Sequence, residues 1–228
     1  MAEVAVIFAP IIIKVSQIMN KLSKIFRQWR KPQKKHPTIK IIGVGCGGGN
    51  VINHIHDLGN DGISLAVCDL DETTLKQSKA SITLQLGDDG LGAGNNPELG
   101  HIEAEKKIED IRTLLKDKTE ITFIVTCLGG GCGTGVAPVI ARESKKLGLT
   151  TVSVATIPFE FEGNHKYNQA LHGIQEITKH SDALFLLNNQ YIIKHHSDLS
   201  MMEAFANADK LMCEIIKSII NFIKLSPR

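Results

Sequence analysis

Residues 39–50 read Ile-Lys-Ile-Ile-Gly-Val-Gly-Cys-Gly-Gly-Gly-Asn. The run Ile39–Val44 is apolar and β-branched, as a buried strand requires, and the glycines that follow open a helix expected over Asn50–Asp57. Gly43, Gly45 and Gly48 satisfy G-x-G-x-x-G, and Asp69 and Asp71 lie about 25 residues further on, at the end of the next strand-like run, Ile63–Cys68. This is the setting of a dinucleotide site. Glycine lets the backbone approach a phosphate, and the free N–H groups at the helix start attract the anion. A tight strand-to-helix turn with no ligand reads the same way.

A second cluster narrows the choice. Gly129-Gly130-Gly131-Cys132-Gly133-Thr134-Gly135 also follows a strand-like run, Ile121–Cys127, and precedes a helix expected over Val136–Lys146. Gly90, Gly92 and Gly94 stand between the two clusters. A dinucleotide fold needs one such loop. Several at the carboxyl edge of one sheet can surround a polyphosphate from different sides. No G-x-x-x-x-G-K-[ST] sequence occurs, which excludes the usual P-loop and its lysine.

Outward from these loops, strand-like runs continue at Thr151–Thr156 and Ala183–Leu187. Helical patterns fall near Thr73–Lys79, Glu98–Leu115, Lys166–Lys179 and Ser200–Lys224. The alternation predicts an α/β fold: a doubly wound, mostly parallel sheet with helices on both faces, ending in a long helix. The 228 residues, 43% hydrophobic and 22% charged, suit one such domain with an appendage. The Glu103–Lys118 charge run reads as an exposed helix face with i,i+4 pairs.

The net charge of +2 conceals an uneven distribution. Residues 1–40 hold nine Lys/Arg against Glu3 alone, and the remainder is net acidic. Ile11, Val15, Ile18, Leu22, Ile25, Phe26 and Trp29 keep helical spacing, with Lys14, Lys21, Lys24, Arg27 and Arg30 between them; Pro32 and Pro37 end the pattern. Residues 1–38 therefore read as a basic amphipathic N-terminal extension, and 39–228 as the nucleotide-binding domain. Three readings of residues 11–35 remain open: a peripheral contact with anionic membrane, a helix docked on the domain, or a cationic arm for nucleic acid. The last lacks interleaved aromatics, and no nucleic acid is expected as a partner.

Five cysteines, an odd number without a CxxC pair, argue against a disulfide framework or structural zinc and for a reducing compartment. The apolar stretch before Lys14 has the wrong order for a secretory signal, so the cytoplasm is the expected location, with membrane association through the arm as its variant. His54, His56, His195 and His196 have no Cys or acidic partner at ligand spacing and read as surface residues; no metal site is expected from side chains alone.

At its glycine loops and beyond, the sequence resembles the FtsZ/tubulin family of GTP-binding, filament-forming proteins, the FtsZ branch most closely. The resemblance covers about Ile39 to Ile223 and rests on IKIIGVGCGGGN, GLGAGNNPELG, GGGCGTGVAPVIA, PFEFEG, KHSDALFLLNN and MMEAFANADKLM in family order. It implies GTP/GDP as ligand, with Mg2+ as a candidate companion. Gly47, Gly48, Gly49 and Asn50 match the first nucleotide loop, and Asp71 the loop after the second strand. Gly92, Ala93 and Gly94 match the loop that senses the γ-phosphate. Gly130, Gly131, Gly133, Thr134 and Gly135 match the second phosphate loop, where Thr134 offers a hydroxyl. Glu162 matches a carboxylate that binds the ribose hydroxyls, and Lys166 stands where the family commonly has arginine. Asn189 matches a guanine-contacting amide. Phe205 can stack on the base, and Asp209 can accept from guanine N1–H and the 2-amino group, which disfavours adenine.

Some positions depart from the family. Cys46 replaces a usual glycine, Cys132 a usual threonine, and Asp69-Leu70 a usual Asn-Thr. The two thiols read either as small residues tolerated in tight loops or as a redox-sensitive site. Lys166 lacks the bidentate fork of arginine, so weaker nucleotide binding than is usual for the family is expected. The resemblance further implies that acidic residues from a neighbouring subunit complete hydrolysis, on a loop expected about where residue 228 falls. No catalytic residue is therefore assigned within the chain, and weak or no intrinsic hydrolysis is expected. A full-length FtsZ-like subunit is the expected partner, which the chain would cap or poison. Two rivals stand beside this reading. One is a Rossmann-type NAD-dependent oxidoreductase using Gly43–Gly48 and Asp69, which leaves the second glycine loop unexplained. The other is an interaction module that has lost nucleotide binding.

Overall fold

The computed structural model describes residues 5–8, 11–14, 38–59, 62–196 and 198–225. In chain order these form β1 (Ala5–Phe8), β2 (Ile11–Lys14), β3 (Ile39–Val44), α1 (Gly45–Asp57), β4 (Ser64–Asp69), α2 (Glu72–Lys76), β5 (Ile82–Gln85), α3 (Pro97–Lys106), α4 (Ile108–Leu115) and β6 (Ile121–Cys127). There follow α5 (Gly131–Lys146), β7 (Thr150–Ile157), a single 3-10 turn (Glu160–Glu162), α6 (Asn164–His180), β8 (Ala183–Asn188), α7 (Gln190–His195) and α8 (Met201–Leu225). The described strands make one sheet in the order β1-β2-β8-β7-β6-β3-β4-β5. From β8 to β5 every pairing is parallel.

Alternation within the strands divides the core in two. Ile42 and Val44 of β3, with Ala66, Cys68 and Ile124, pack against Val136, Val139 and Ile140 of α5 and against Ile111 and Leu115 of α4. Ile39 and Ile41, with Leu65, Val67, Phe123 and Val125, pack against Val51, Ile52 and Ile55 of α1 and against Met212, Ile216 and Ile220 of α8. Both faces of the sheet are thus covered, as continuous apolar strands require. The chain winds outward from β3 through β4 to β5, then returns to β6 on the other side of β3. The helices after β3 and β6 therefore lie on opposite faces, and their first turns meet above two neighbouring strand ends. That crevice is the topological switch point of the sheet, where open α/β folds place ligands.

Several boundaries differ from those the sequence predicts. The helix expected from Ile11 does not begin there: β2 is extended and pairs antiparallel with β8, Ile12 opposite Leu186, and β1 pairs with β2. An edge strand of unpaired N–H and C=O groups outweighs helical periodicity in this β-branched run. The rest of the arm, with its membrane or docking reading, lies outside the described residues. The helix expected over Glu98–Leu115 is two helices, broken at Lys107 (φ −99°, ψ 27°). The break turns Ile111, Leu114 and Leu115 into the core. The charged face is tied by i,i+3 pairs, Glu103–Lys106 and Glu109–Arg112, in place of the expected i,i+4 spacing. Among the described residues no helix is long and apolar enough to cross a membrane.

Candidate functional site

The glycines predicted to form loops instead supply the first turns of α1 and α5, and these turns touch. A Cβ placed on Gly45 would lie 3.2 Å from the Gly133 amide nitrogen and 3.6 Å from Cys132 Cβ. Gly45 also has φ +75°, a conformation that favours glycine. Beneath the junction, a side chain on Gly47 would collide with Cys127 Sγ, and one on Gly133 with the Cys127 carbonyl. The buried Thr126 hydroxyl lies 3.1 Å from the Gly133 oxygen and 3.4 Å from the Val44 oxygen, pinning one turn to the other. Among the described residues, no side chain caps α1 at Val44 or α5 at Gly130, and neither first turn carries an acid. Two sets of helix N–H groups therefore converge with no acid in their own first turns.

The third glycine segment closes over the second. A Cβ on Gly131 would lie 2.7 Å from Ala93 Cβ and 2.7 Å from the Asn96 nitrogen. Asp71 ties this segment to the end of β4. Its carboxylate accepts from Thr73 N–H at 2.7 Å, capping α2, and its backbone bridges to Leu91, while a Cβ on Gly92 would meet Asp71 Cβ at 3.5 Å. Gly130, by contrast, has nothing among the described residues within 4 Å of its missing Cβ, nor has Gly94. Gly135 faces away from the junction, where any side chain would strike the Pro97 carbonyl; its contact is helix packing between α5 and α3.

The remaining predicted residues line the same strand edge. Glu162 accepts from Phe159 N–H at 2.9 Å and from Lys166 Nζ at 3.1 Å. Lys166 stands beside the second turn, since a Cβ on Gly129 would lie 3.0 Å from its carbonyl oxygen. Thr134 already uses its hydroxyl to accept from Gly129 N–H at 2.8 Å. Phe205 meets Phe159 and Phe161 edge-on, with centroids 5.1 and 5.9 Å apart, and keeps 38% of its surface exposed. Asn189 is buried, and among the described residues its Oδ1 has no hydrogen-bond partner. Asp209 of α8 accepts from the Asn50 side chain and stands close enough to Cys46 and Cys127 to raise both thiols. Burial pushes the Asp209 carboxyl up to about 7, with the Asn50 amide pulling the other way. The ends of β3, β4, β6, β7 and β8 thus carry polar groups toward one cleft, where among the described residues Asn189 Oδ1 has no protein partner.

The profile described as "Tubulin/FtsZ family, GTPase domain" matches residues 38–197. The chain belongs to the tubulin/FtsZ family. Relatives named cell division protein FtsZ are 42% identical over 192 residues in Azotobacter vinelandii, covering 82% of this chain and 48% of the relative. In Porphyromonas gingivalis the identity is 40% over 189 residues, covering 81% and 41%. Among solved structures, an empty FtsZ dimer from M. jannaschii matches with a TM-score of 0.80 at 31% identity, covering 89% of this chain and 59% of that one. CetZ2 from Haloferax volcanii, a GTPγS-bound protofilament, matches at 0.71 and 22%, covering 80% and 57%, a likeness of fold. The chain spans about half the length of the curated relatives it matches.

Cys132 and Asp69, separate in sequence, pair in space. The buried Cys132 thiol hydrogen-bonds to the Asp69 carboxylate, which also accepts from the backbone N–H of Leu70 at 2.7 Å and of Asp71 at 3.2 Å. Burial pushes Asp69 up, and those bonds oppose it. Burial likewise raises the thiols of Cys46, Cys127 (to about 12) and Cys132, away from the thiolate that a redox-sensitive site needs. Motif reading missed Thr126, Asn95, Gln169 and Gln190. Gln190 Oε1 accepts from Glu160 N–H at 3.1 Å, joining the 3-10 turn to the segment that carries Asn189. Their partners lie far away in sequence, so spacing carried no signal.

Proposed function

We propose that this chain binds a guanine nucleotide, GTP or GDP, across the junction of the two glycine turns, as a member of a cell-division filament system. The observation that carries the reading is the abutment of Gly45 and Gly133 beside an Asp209 tied to Asn50. The first-turn N–H groups of α1 and α5, with Gly92–Gly94, meet the phosphates. Mg2+ would serve as a companion of the phosphates, since Lys166 is already paired with Glu162; among the described residues no group of carboxylates or histidines forms a metal site of its own. Glu162 addresses the ribose and Phe205 offers its ring to the base. Asp209 accepts from guanine N1–H and the 2-amino group, while the unpartnered Asn189 Oδ1 accepts a further donor. Adenine would present an acceptor to Asp209 and leave both unpaired.

For the 228 residues by themselves we expect binding without ordinary turnover. After Asp209 the sequence holds one further acid, Glu214, which lies exposed on α8, so the acidic residues of the resemblance are not among them. A full-length FtsZ-like subunit is the proposed partner, and a membrane contact through the part of residues 11–35 that follows β2 the proposed role of the arm. Equilibrium dialysis of the 228-residue chain against GTP, ATP and NADH tests the central reading. GTP retained well above ATP is expected; equal retention of GTP and ATP, or retention of NADH alone, would overturn it.

A further inference from the structure

Gln169 of α6 belongs to none of the motifs, yet it spans two parts of the site. Its Nε2 donates to the main-chain oxygen of Asn95 at 3.0 Å, 74 residues upstream. Its Oε1 is buried and, among the described residues, has no partner. Asn95 is the non-glycine residue that takes a left-handed conformation in the described chain, with φ 60°. It lies between Gly94 and Asn96, whose side chain caps α3 by accepting from Glu98 N–H at 3.0 Å and Leu99 N–H at 3.3 Å. The Ala93–Asn96 segment rests on Gly131, and the first turn of α6 rests on Gly129 through Lys166. Gln169 lies three residues beyond Lys166 on the same helix face. Its side chain therefore bridges the two walls on either side of Gly130, the glycine that faces open space.

We propose that Gln169 is a positioning residue that holds the Gly92–Asn95 loop ready for a terminal phosphate and so sets the preference for nucleoside triphosphate over diphosphate. The inference rests on the nucleotide reading given above. A left-handed Asn95 is costly without a tether, and the Nε2 bond supplies one at the residue that follows Gly94. The Nε2 bond carries the inference, since a phosphate is itself an acceptor and cannot meet the unpartnered Oε1. A diphosphate, which does not reach the loop, gains nothing from the tether.

The test compares GTP and GDP affinity in the 228-residue chain for wild type, Gln169→Met and Gln169→Asn. The first variant keeps the shape without the amide, and the second keeps the amide but draws it back from Asn95. Both are expected to weaken GTP about tenfold while GDP stays within about twofold, the size of an ordinary coupling between neighbouring sites. Equal loss of both nucleotides, or no change in either, overturns the inference and leaves the nucleotide reading standing. Wild type that binds neither nucleotide overturns both. Should one variant fail to fold, judged by its thermal transition, the ratio measured on the other decides.

Discussion

At the amino end of the sheet, the buried Glu143 carboxylate meets Lys146 Nζ at 2.8 Å, Arg112 Nε at 2.7 Å and Arg142 Nε at 2.9 Å. Nearby, Lys40 is buried with its Nζ bound to the Leu114 carbonyl and, at 2.6 Å, to Asp117. At the carboxyl end, Asp209 has the Asn50 amide as its acknowledged donor, Asn189 Oδ1 has none among the described residues, and two helix starts are uncapped. One sheet therefore carries charge in two ways. Where its groups are mutually satisfied they fix the fold. Where they are left in need of partners, they are open to the ligand that the proposed reading requires.

The largest expected effect lies at the satisfied end. Burial alone would raise Glu143, but Lys146, Arg112 and Arg142 outweigh it and hold the carboxyl at about 2. Glu143→Gln should cost about 2–3 kcal/mol. Losing one member of a buried pair costs about 3–5 kcal/mol, and these cations, being partly exposed, can still hydrate. Because the folded pKa is depressed, this contribution is complete above the unfolded value of 4.5 and is lost as pH falls toward 2. Thermal melts of both proteins should therefore converge in acid, with nucleotide affinity unchanged at neutral pH. A variant that melts with wild type at pH 7 would break the contrast between the two ends.

The open end should show the opposite pattern. In the free protein Asp209 titrates near 7, and on the proposed reading it accepts from guanine only when ionised. GTP affinity should fall about tenfold per pH unit below 7 and level off above it. Asp209→Asn should flatten that dependence and weaken GTP about ten- to a hundredfold, the worth of one or two charge-assisted hydrogen bonds. Stability has the reverse sign. The folded pKa is raised above 3.8, so the folded state binds the extra proton, and nucleotide-free protein loses this contribution as pH rises from about 4 to about 7. Titration calorimetry and nucleotide-free melts across that range, wild type against variant, check both signs; a GTP affinity independent of pH would remove Asp209 from the base contact.

How much of this was legible in the sequence follows from the same division. Strands β3 and β6 begin and end where their apolar runs predict, because burial on both faces leaves a continuous signal. The strand β5 passes unnoticed, being four half-exposed residues at an edge. Helices α1 and α5 start earlier than expected, since glycines that read as loop are the helical first turns that meet at the junction. Motifs led to the expectation that Gly48, Gly133 and Asp209 share one cleft. They could not show that Cys132 answers Asp69, that Thr126 pins one turn to the other, or that Gln169 reaches Asn95. Those contacts join residues whose separation only the folded sheet removes.

The smallest expected effect concerns Lys166, which stands between the two regimes. It is paired with Glu162 at 3.1 Å, like a stabilising residue, yet its side chain is 40% exposed and it sits on the wall of the second glycine turn. A half-exposed i,i+4 pair contributes little, so Lys166→Arg should move the melting transition by less than about 0.5 kcal/mol equivalent. Arginine presents a planar fork that can hold a carboxylate and a phosphate oxygen together, where the ammonium is a single point of charge. GTP affinity should therefore rise by about two- to fivefold with stability unchanged, within the range of one added charge-assisted bond to an exposed group. A gain in stability without a gain in affinity would instead assign Lys166 to Glu162 alone, moving that residue from the open end of the sheet to the satisfied one.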